Sequence, residues 1–252
     1  GGSIGTEAAV RASPEGHTMV LASTSEIATN PALYKLGYDT IRDLAPVALV
    51  ASAAMVVVAS PTSSIDTVQS LIALAKAKPG ALNVASARNG TITHLSGELL
   101  RSVTGSSWTH VPYKGAPPAL SDLAAGRVEV MVSSLPAAMP LIKAGRIKAV
   151  AVSTRARQPS LPDVPTVIEN GVPQYDVVYW YGIFVPAATP KAIVARLADE
   201  IGRALRQKEV VANLANQGAL PGELQQVEFA RFVRSEHALW SKVVKSSGAK
   251  AG

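Results

Sequence analysis

The chain has 252 residues, of which 48% are hydrophobic and 17% charged, and it contains no cysteine. This composition supports a buried core and excludes intrinsic disorder, disulfides, thiolate metal sites and a cysteine nucleophile. The formal net charge is +6, but lysine and arginine are scattered singly, so we expect no nucleic-acid partner and a general attraction for small anions instead.

The sequence contains no membrane-spanning pattern. The longest apolar segment, 47–59, is interrupted by Ser52 and is shorter than the roughly 18 residues that a spanning helix needs. The first five residues, Gly-Gly-Ser-Ile-Gly, have neither the basic nor the apolar region of a signal peptide. If the protein is exported, we therefore expect its signal peptide to have been removed already.

Short apolar segments alternate with segments of helical periodicity. The predicted strands are 18–22, 45–50, 54–59, 82–85, 109–113, 128–132, 147–152 and 177–185. The predicted helices are 4–13, 65–77, 91–103, 116–125, 136–144, 190–207 and 227–244. Thr189 is the expected N-cap of the helix that begins at Pro190. The alternation predicts an α/β fold with mostly parallel sheets, followed by a helical C-terminal segment without strands.

Two extended segments, 47–60 and 175–186, can carry the chain between two lobes. Two crossings make one lobe discontinuous, which predicts a first lobe of residues 1–54 and 179–252 and a second lobe of residues 55–178. Lobes joined by two crossing strands form a hinge, and hinges serve proteins that close on ligands.

The pattern for catalysis is weak. The four histidines are widely spaced, no Gly-x-Ser-x-Gly motif occurs, and no paired carboxylates are recognisable. We therefore expect no catalytic residue, no metal and no cofactor. An α/β hydrolytic enzyme remains an alternative, with His94 or His110 as a base near Ser86 or Ser133, although the acid that would orient the histidine is missing.

The most informative segment is 85–95, which leaves a predicted strand and opens a predicted helix. The first N–H groups of a helix are unpaired and lie at the positive end of its dipole, so this loop is a candidate anion site. The hydroxyls of Ser86, Thr91 and Thr93 can add donors. The alternatives are that Thr91 is an ordinary N-cap and that His94 is a structural histidine.

Other loops that follow strands carry small hydroxyl residues in the same way. Residues 23–25 follow the strand 18–22, Ser133 follows the strand 128–132, and Tyr113 ends the strand 109–113. Tyr179 lies in an aromatic segment that lines either a cleft or the core. The predicted ligand-binding residues are Ser23, Thr24, Ser25, Ser86, Asn89, Gly90, Thr91, Thr93, His94, Tyr113, Ser133 and Tyr179. The pattern favours a polar binding crevice over a catalytic one.

A set of short motifs, in colinear order along almost the whole chain, points to one family. The motifs lie at 2–7, 13–18, 30–34, 42–47, 85–99, 110–115, 161–166 and 186–190; they include Ser-Pro-Glu-Gly-His-Thr, Asn-Pro-Ala-Leu-Tyr and His-Val-Pro-Tyr-Lys-Gly. Together they resemble the substrate-binding receptors of tripartite tricarboxylate transporters, which are also called Bug proteins.

This resemblance implies a periplasmic binding protein of the type II-like, two-lobe kind. Such a receptor captures a small organic acid between its lobes and delivers it to the membrane permease subunits of the transporter. The resemblance also implies that the loop 86–93 holds a ligand carboxylate and that the protein is a periplasmic monomer. A ligand-sensing receptor of a two-component system remains an alternative.

Three departures from the family pattern bear on the ligand. In the family, a strand, a glycine-rich loop and a helix precede the segment that matches residues 1–2. We therefore expect the first lobe to lack these N-terminal elements in this chain. Ser133 stands where many members carry Asp, and Arg88 stands where a small residue is common. Both differences favour an acid without an ammonium group, either a dicarboxylate or an aromatic carboxylate.

Overall fold

The computed structural model describes residues 2–249. These residues divide into two units: a first unit of residues 2–52 and 179–249, and a second unit of residues 53–178. Gly1 and residues 250–252, which belong to the predicted first lobe, lie outside the described residues. No helix among residues 2–249 combines the length and apolar character needed to cross a membrane.

The first unit contains a small sheet, and helices precede and follow its strands along the chain. Its elements are α1 (Ser3–Val10), β1 (Val20–Ser23), a π-helical segment (Ser25–Thr29), α2 (Asn30–Leu33), the first part of β2 (Leu44–Ala59), β7 (Val178–Pro186), α7 (Lys191–Leu205), α8 (Lys208–Asn216), β8 (Ala219–Pro221) and α9 (Gln226–Ser247). Strand β1 pairs antiparallel with β7, so that Ser23 lies opposite Tyr181. The β7 strand neighbours β2, which also pairs with β8.

Aromatic residues build the core of the first unit, where α9 packs on β7. The indole N–H groups of Trp180 and Trp240 both donate to Glu236 Oε2, at 2.9 and 3.1 Å. The ring of Trp180 meets Phe229 edge-on, with centroids 5.9 Å apart. Gly182 permits this approach, because a methyl group on its Cα would overlap the Phe229 ring.

The second unit is a sheet covered by helices. Its elements are the second part of β2, α3 (Val68–Ala77), β3 (Asn83–Ser86), α4 (Ile92–Thr104), β4 (Thr109–Pro112), α5 (Ala116–Ala124), β5 (Val130–Ser134), α6 (Leu135–Lys143) and β6 (Lys148–Val152). Strand β3 runs parallel to β4 and β5, while β2 runs antiparallel to β5 and β6. The core includes Val56, Val58, Leu120, Leu123 and Met131, all buried.

The predicted α/β class is confirmed. Where mostly parallel sheets were predicted, the pairing is mixed: β3 is parallel to β4 and β5, whereas β1 is antiparallel to β7 and β2 to β5 and β6. The predicted strands 45–50 and 54–59 are one strand, β2. Helix α3 begins three residues later than predicted because Thr67 and Ser70 form a capping box at its start.

The C-terminal segment differs from the prediction in three respects. The helix predicted at 190–207 is followed by a separate helix, α8, and the strand β8 interrupts a segment expected to contain none. Thr189 is not the N-cap of α7: Pro190 holds that position. The Thr189 hydroxyl is buried and has no hydrogen-bond partner among residues 2–249.

Candidate functional site

The loop between β3 and α4, residues 87–91, is the centre of the candidate site in the second unit. Val84 and Ala85 of β3 and Leu95 of α4 are buried and fix the two ends of the loop. Because β3 is parallel to β4 and β5, the loop lies at the carboxyl ends of these strands, where α/β sheets bind ligands. Ser133 lies near the carboxyl end of the neighbouring strand β5.

The start of α4 presents free donors. The N–H groups of Ile92, Thr93 and His94 have no acceptor within the described part of the chain. These residues are only 5–8% exposed, so water has limited access to them. Thr91 occupies the N-cap position, but its hydroxyl donates to the Arg88 carbonyl at 2.7 Å and accepts no helix N–H. The alternative in which the Thr91 side chain caps the helix is therefore wrong.

Hydrogen bonds between neighbouring residues hold the loop in shape. The Ala87 N–H donates to Thr93 Oγ1 at 3.0 Å, and the hydroxyls of Thr91 and Thr93 lie 2.9 Å apart. Gly90 has a φ of 72°, a left-handed conformation that favours glycine. Asn89 is exposed.

Two histidines lie beneath the loop. The rings of His94 and His110 stack with centroids 3.8 Å apart and planes 18° apart. The Gly90 N–H donates to His94 Nδ1 at 3.1 Å, and His110 Nε2 lies 2.6 Å from Ser86 Oγ. Burial lowers the pKa of His94 to about 4, and repulsion from protonated His110 and from Arg101 acts in the same direction. Burial also lowers the pKa of His110, and both rings are therefore neutral near pH 7.

The contact between Ser86 and His110 bears on the enzyme alternative. A serine–histidine pair needs a third group that orients the imidazole. Among residues 2–249 no carboxylate bonds to His110, and the Ser86 hydroxyl also donates to the Arg88 carbonyl at 3.3 Å. Ser86 is 1% exposed, which hinders attack on a substrate. In the described residues no group of three His, Cys, Asp or Glu side chains is arranged to hold a metal ion.

Two predicted residues of the second unit have other hydrogen-bond partners. The Tyr113 hydroxyl donates to Asp122 Oδ2 at 2.9 Å, which ties the side chain to α5. The Ser133 hydroxyl is buried and contacts the carbonyl of Ser134 at 3.3 Å. The structure thus brings five of the predicted residues together in and around the loop 87–91, where hydrogen bonds connect them to it: Ser86, Gly90, Thr91, Thr93 and His94.

The remaining predicted residues lie in the first unit. Thr24 is fully buried, and its hydroxyl accepts the backbone N–H of Trp180 at 3.0 Å, so it joins the residues that follow β1 to β7 within this unit. Ser25 donates its N–H to Ser23 Oγ at 3.2 Å. Ser23 and Tyr179 line a cavity of about 370 Å³ in this unit.

Seven further residues line this cavity and were not among the predicted ligand-binding residues; Glu26 and Tyr181 are two of them. Glu26 Oε2 accepts both the Ser23 N–H, at 2.9 Å, and the Ser23 hydroxyl. The spacing Ser-x-x-Glu at 23–26 was the available signal. The Tyr181 ring meets Tyr179 edge-on at 5.0 Å, and burial raises the pKa of Tyr181. The contact of His110 with Ser86 was considered only within the enzyme alternative, and His110 was not among the predicted ligand-binding residues.

Residues 1–249 match the sequence model described as "Tripartite tricarboxylate transporter family receptor", TctC. The chain belongs to this family. The resemblance seen in the motifs is confirmed, and so is the predicted function of a receptor for tripartite transporters. This chain is 34% identical to BugT of Bordetella pertussis over 252 residues, which is 99% of this chain and 77% of BugT.

Two solved structures are similar to this TctC receptor. One is the R. palustris protein Rpa4515 with adipate, at a TM-score of 0.85 and 34% identity, covering 99% of this chain and 84% of that one. The other is MatC of Rhodopseudomonas palustris with bound malate, at a TM-score of 0.81 and 32% identity, covering 96% and 84%. The predicted fold of a periplasmic binding protein is confirmed by these similarities.

Proposed function

We propose that this TctC receptor binds a small organic acid without an ammonium group, a dicarboxylate or an aromatic carboxylate, and holds one carboxylate at the start of α4. The observation that carries the proposal is the set of unpaired N–H groups on Ile92, Thr93 and His94. Two similar structures, one with adipate and one with bound malate, support an acid of this class.

The physical case rests on the cost of removing a carboxylate from water. That cost is met only when aligned donors replace the lost water, and charge-assisted hydrogen bonds are the strongest of these. The dipole of α4, a helix of 13 residues, adds a favourable positive potential at the same point. Arg88 is exposed in the loop that precedes α4 and adds a full positive charge to this part of the unit.

The absence of a carboxylate at position 133 supports the choice of ligand. Ser133, near the carboxyl end of β5, has a buried, uncharged hydroxyl that cannot neutralise an ammonium group. An amino acid would therefore have to leave its charge unpaired in the second unit.

We infer further that the two units are the two lobes of a periplasmic, monomeric receptor that delivers its acid to permease subunits. We also infer that it leaves the acid chemically unchanged. Support for these points comes from the family, whose members are transporter receptors, and from the lack of a carboxylate on His110 among the described residues.

The test is calorimetric titration of the protein with malate, adipate, benzoate and glutamate. We expect binding of one molecule of malate, adipate or benzoate per chain, at least tenfold tighter than glutamate, and recovery of the acid unchanged. Failure of all three acids to bind would overturn the proposal. Preferred binding of glutamate would overturn its choice of ligand class.

A further inference from the structure

The two stacked histidines contact opposite ends of the loop that carries the donors. His110 on β4 reaches Ser86, the last residue of β3, with 2.6 Å between Nε2 and Oγ. His94 on α4 accepts the N–H of Gly90 on Nδ1 at 3.1 Å. The two rings stack at 3.8 Å between centroids, and this contact connects the hydrogen bond at Ser86 with the hydrogen bond at Gly90.

We propose that the stacked pair of His94 and His110 positions the carboxylate-binding loop, with His94 acting as a neutral acceptor that fixes Gly90. The proposal rests on the proposed function of the loop. It assigns the imidazoles a role that is distinct from contact with the ligand: they are positioning residues.

The hydrogen bond to Gly90 defines the protonation of His94. A nitrogen that accepts a hydrogen bond carries no proton, so the single hydrogen of the neutral ring is on Nε2. Nε2 lies 3.9 Å from Glu98 Oε1, beyond hydrogen-bond distance. Glu98 itself is paired with Arg101 on the same helix.

The charged groups around His94 oppose a second proton on the ring. His110 faces it from β4 and Arg101 from its own helix, and both disfavour a positive charge there. Arg88 in the loop is exposed and adds charge of the same sign. Among residues 2–249, Glu98 is the acidic group within 4 Å of the His94 ring, and its other carboxylate oxygen is paired with Arg101.

Loss of the His94 acceptor has a direct structural cost. The Gly90 N–H is buried, and a buried N–H without a partner destabilises the conformation that contains it. Gly90 sets the direction in which the chain enters Thr91, at a φ of 72°. A shift at Gly90 therefore displaces the N–H groups of Ile92 and Thr93 that we assign to the carboxylate.

The experiment compares the wild type with His94→Asn and His94→Leu. Asparagine places its Oδ1 near the position of Nδ1 and can still accept from Gly90, whereas leucine cannot accept. We expect His94→Asn to retain affinity for malate, adipate and benzoate within about threefold, and His94→Leu to lose tenfold or more. Circular dichroism and thermal unfolding check that both variants fold.

Two readouts do not depend on the ligand. Nitrogen NMR of the wild type at pH 7 should show His94 with Nδ1 unprotonated and Nε2 protonated. Hydrogen exchange of the Gly90 amide should be at least tenfold faster in His94→Leu than in the wild type or His94→Asn. Protonated Nδ1, or equal protection in all three proteins, would overturn the positioning role.

The outcomes separate the two proposals. If the wild type binds an acid and His94→Leu binds it equally well, the positioning role is overturned while the proposed function stands. If no acid binds to the wild type, the proposed function is overturned and the ligand role of the histidine pair with it.

Discussion

At the scale of single residues, the unpaired backbone N–H groups form the donor set at the start of α4, while the hydroxyls of Thr91 and Thr93 hold the loop in shape. Such donors suit a receptor that has to release its ligand. The N–H groups are fixed by the helix, and the neutral imidazoles of His94 and His110 fix the loop without adding charge. The buried His94 therefore links the geometry of the loop to pH.

The depressed pKa of His94 makes stability depend on pH in a defined direction. The unfolded chain takes up a proton near the ordinary value of 6.5, whereas the folded chain does so only at about 4. The contribution of His94 to the free energy of unfolding should therefore be constant above about pH 6.5 and fall below it, by up to about 3 kcal/mol by pH 4.

Denaturant unfolding at pH 7, 5.5 and 4.5 measures this effect in the wild type and in His94→Asn. The variant should lose less stability over this range, because asparagine does not titrate. His110 contributes in the same direction and is present in both proteins, so the difference reports His94. The same pH dependence in the two proteins would contradict the assignment.

Sequence alone could predict which residues lie in the loop but not how they bond. The strand–loop–helix pattern identifies Ser86, Thr91 and Thr93, since it depends only on local order. The pairing of Ser86 with His110 depends on the parallel register of β3 and β4, in which Ser86 lies opposite Pro112. That register is a tertiary property, and the role of His110 was missed for this reason.

At the scale of elements, the docking of α9 on β7 depends on one close approach. Gly182 of β7 lies under the Phe229 ring, and a Cβ atom at this position would overlap it. The surrounding core of Trp180 and Phe184 is fully buried and offers little room for the ring to move.

Gly182→Ala should therefore destabilise the protein by about 1–3 kcal/mol, the usual cost of overpacking a core. The matched control is Gly5→Ala in α1, where no atom lies within 4 Å of the added carbon. That change should be neutral or stabilise by up to about 1 kcal/mol, since alanine favours helices. Equal stability of the two variants, measured by denaturant unfolding, would contradict the packing described here.

Element types were easier to predict than element boundaries. Periodicity identified most helices and strands, but residues 53–59 of β2 are buried without alternation, and the sequence showed two strands where one exists. The helices at 25–33 and the strand β8 were missed. Their short length leaves little periodicity to detect, and tertiary contacts decide them.

At the scale of the whole molecule, the composition agrees with an anion receptor. The net charge of +6 arises from 24 basic and 18 acidic residues and creates a general attraction for anions, while the loop in the second unit supplies local donors. Family membership could be predicted from the motifs because they extend along almost the whole chain. The ligand could not, since the groups that distinguish one acid from another are few.

The central claim is that the start of α4 holds a carboxylate, and titration of the Thr91→Val/Thr93→Val protein tests it most directly. The matched control is Thr109→Val at the first residue of β4, the end of that strand away from the loop 87–91. This change removes an exposed hydroxyl that donates to the Gly80 carbonyl. The double variant removes the acceptor of the Ala87 N–H and the hydrogen bond to the Arg88 carbonyl, and so displaces the loop from the N–H groups. Calorimetry with malate, adipate and benzoate should show at least tenfold weaker binding for the double variant and unchanged binding for the control. Undiminished affinity in a folded double variant would contradict the claim.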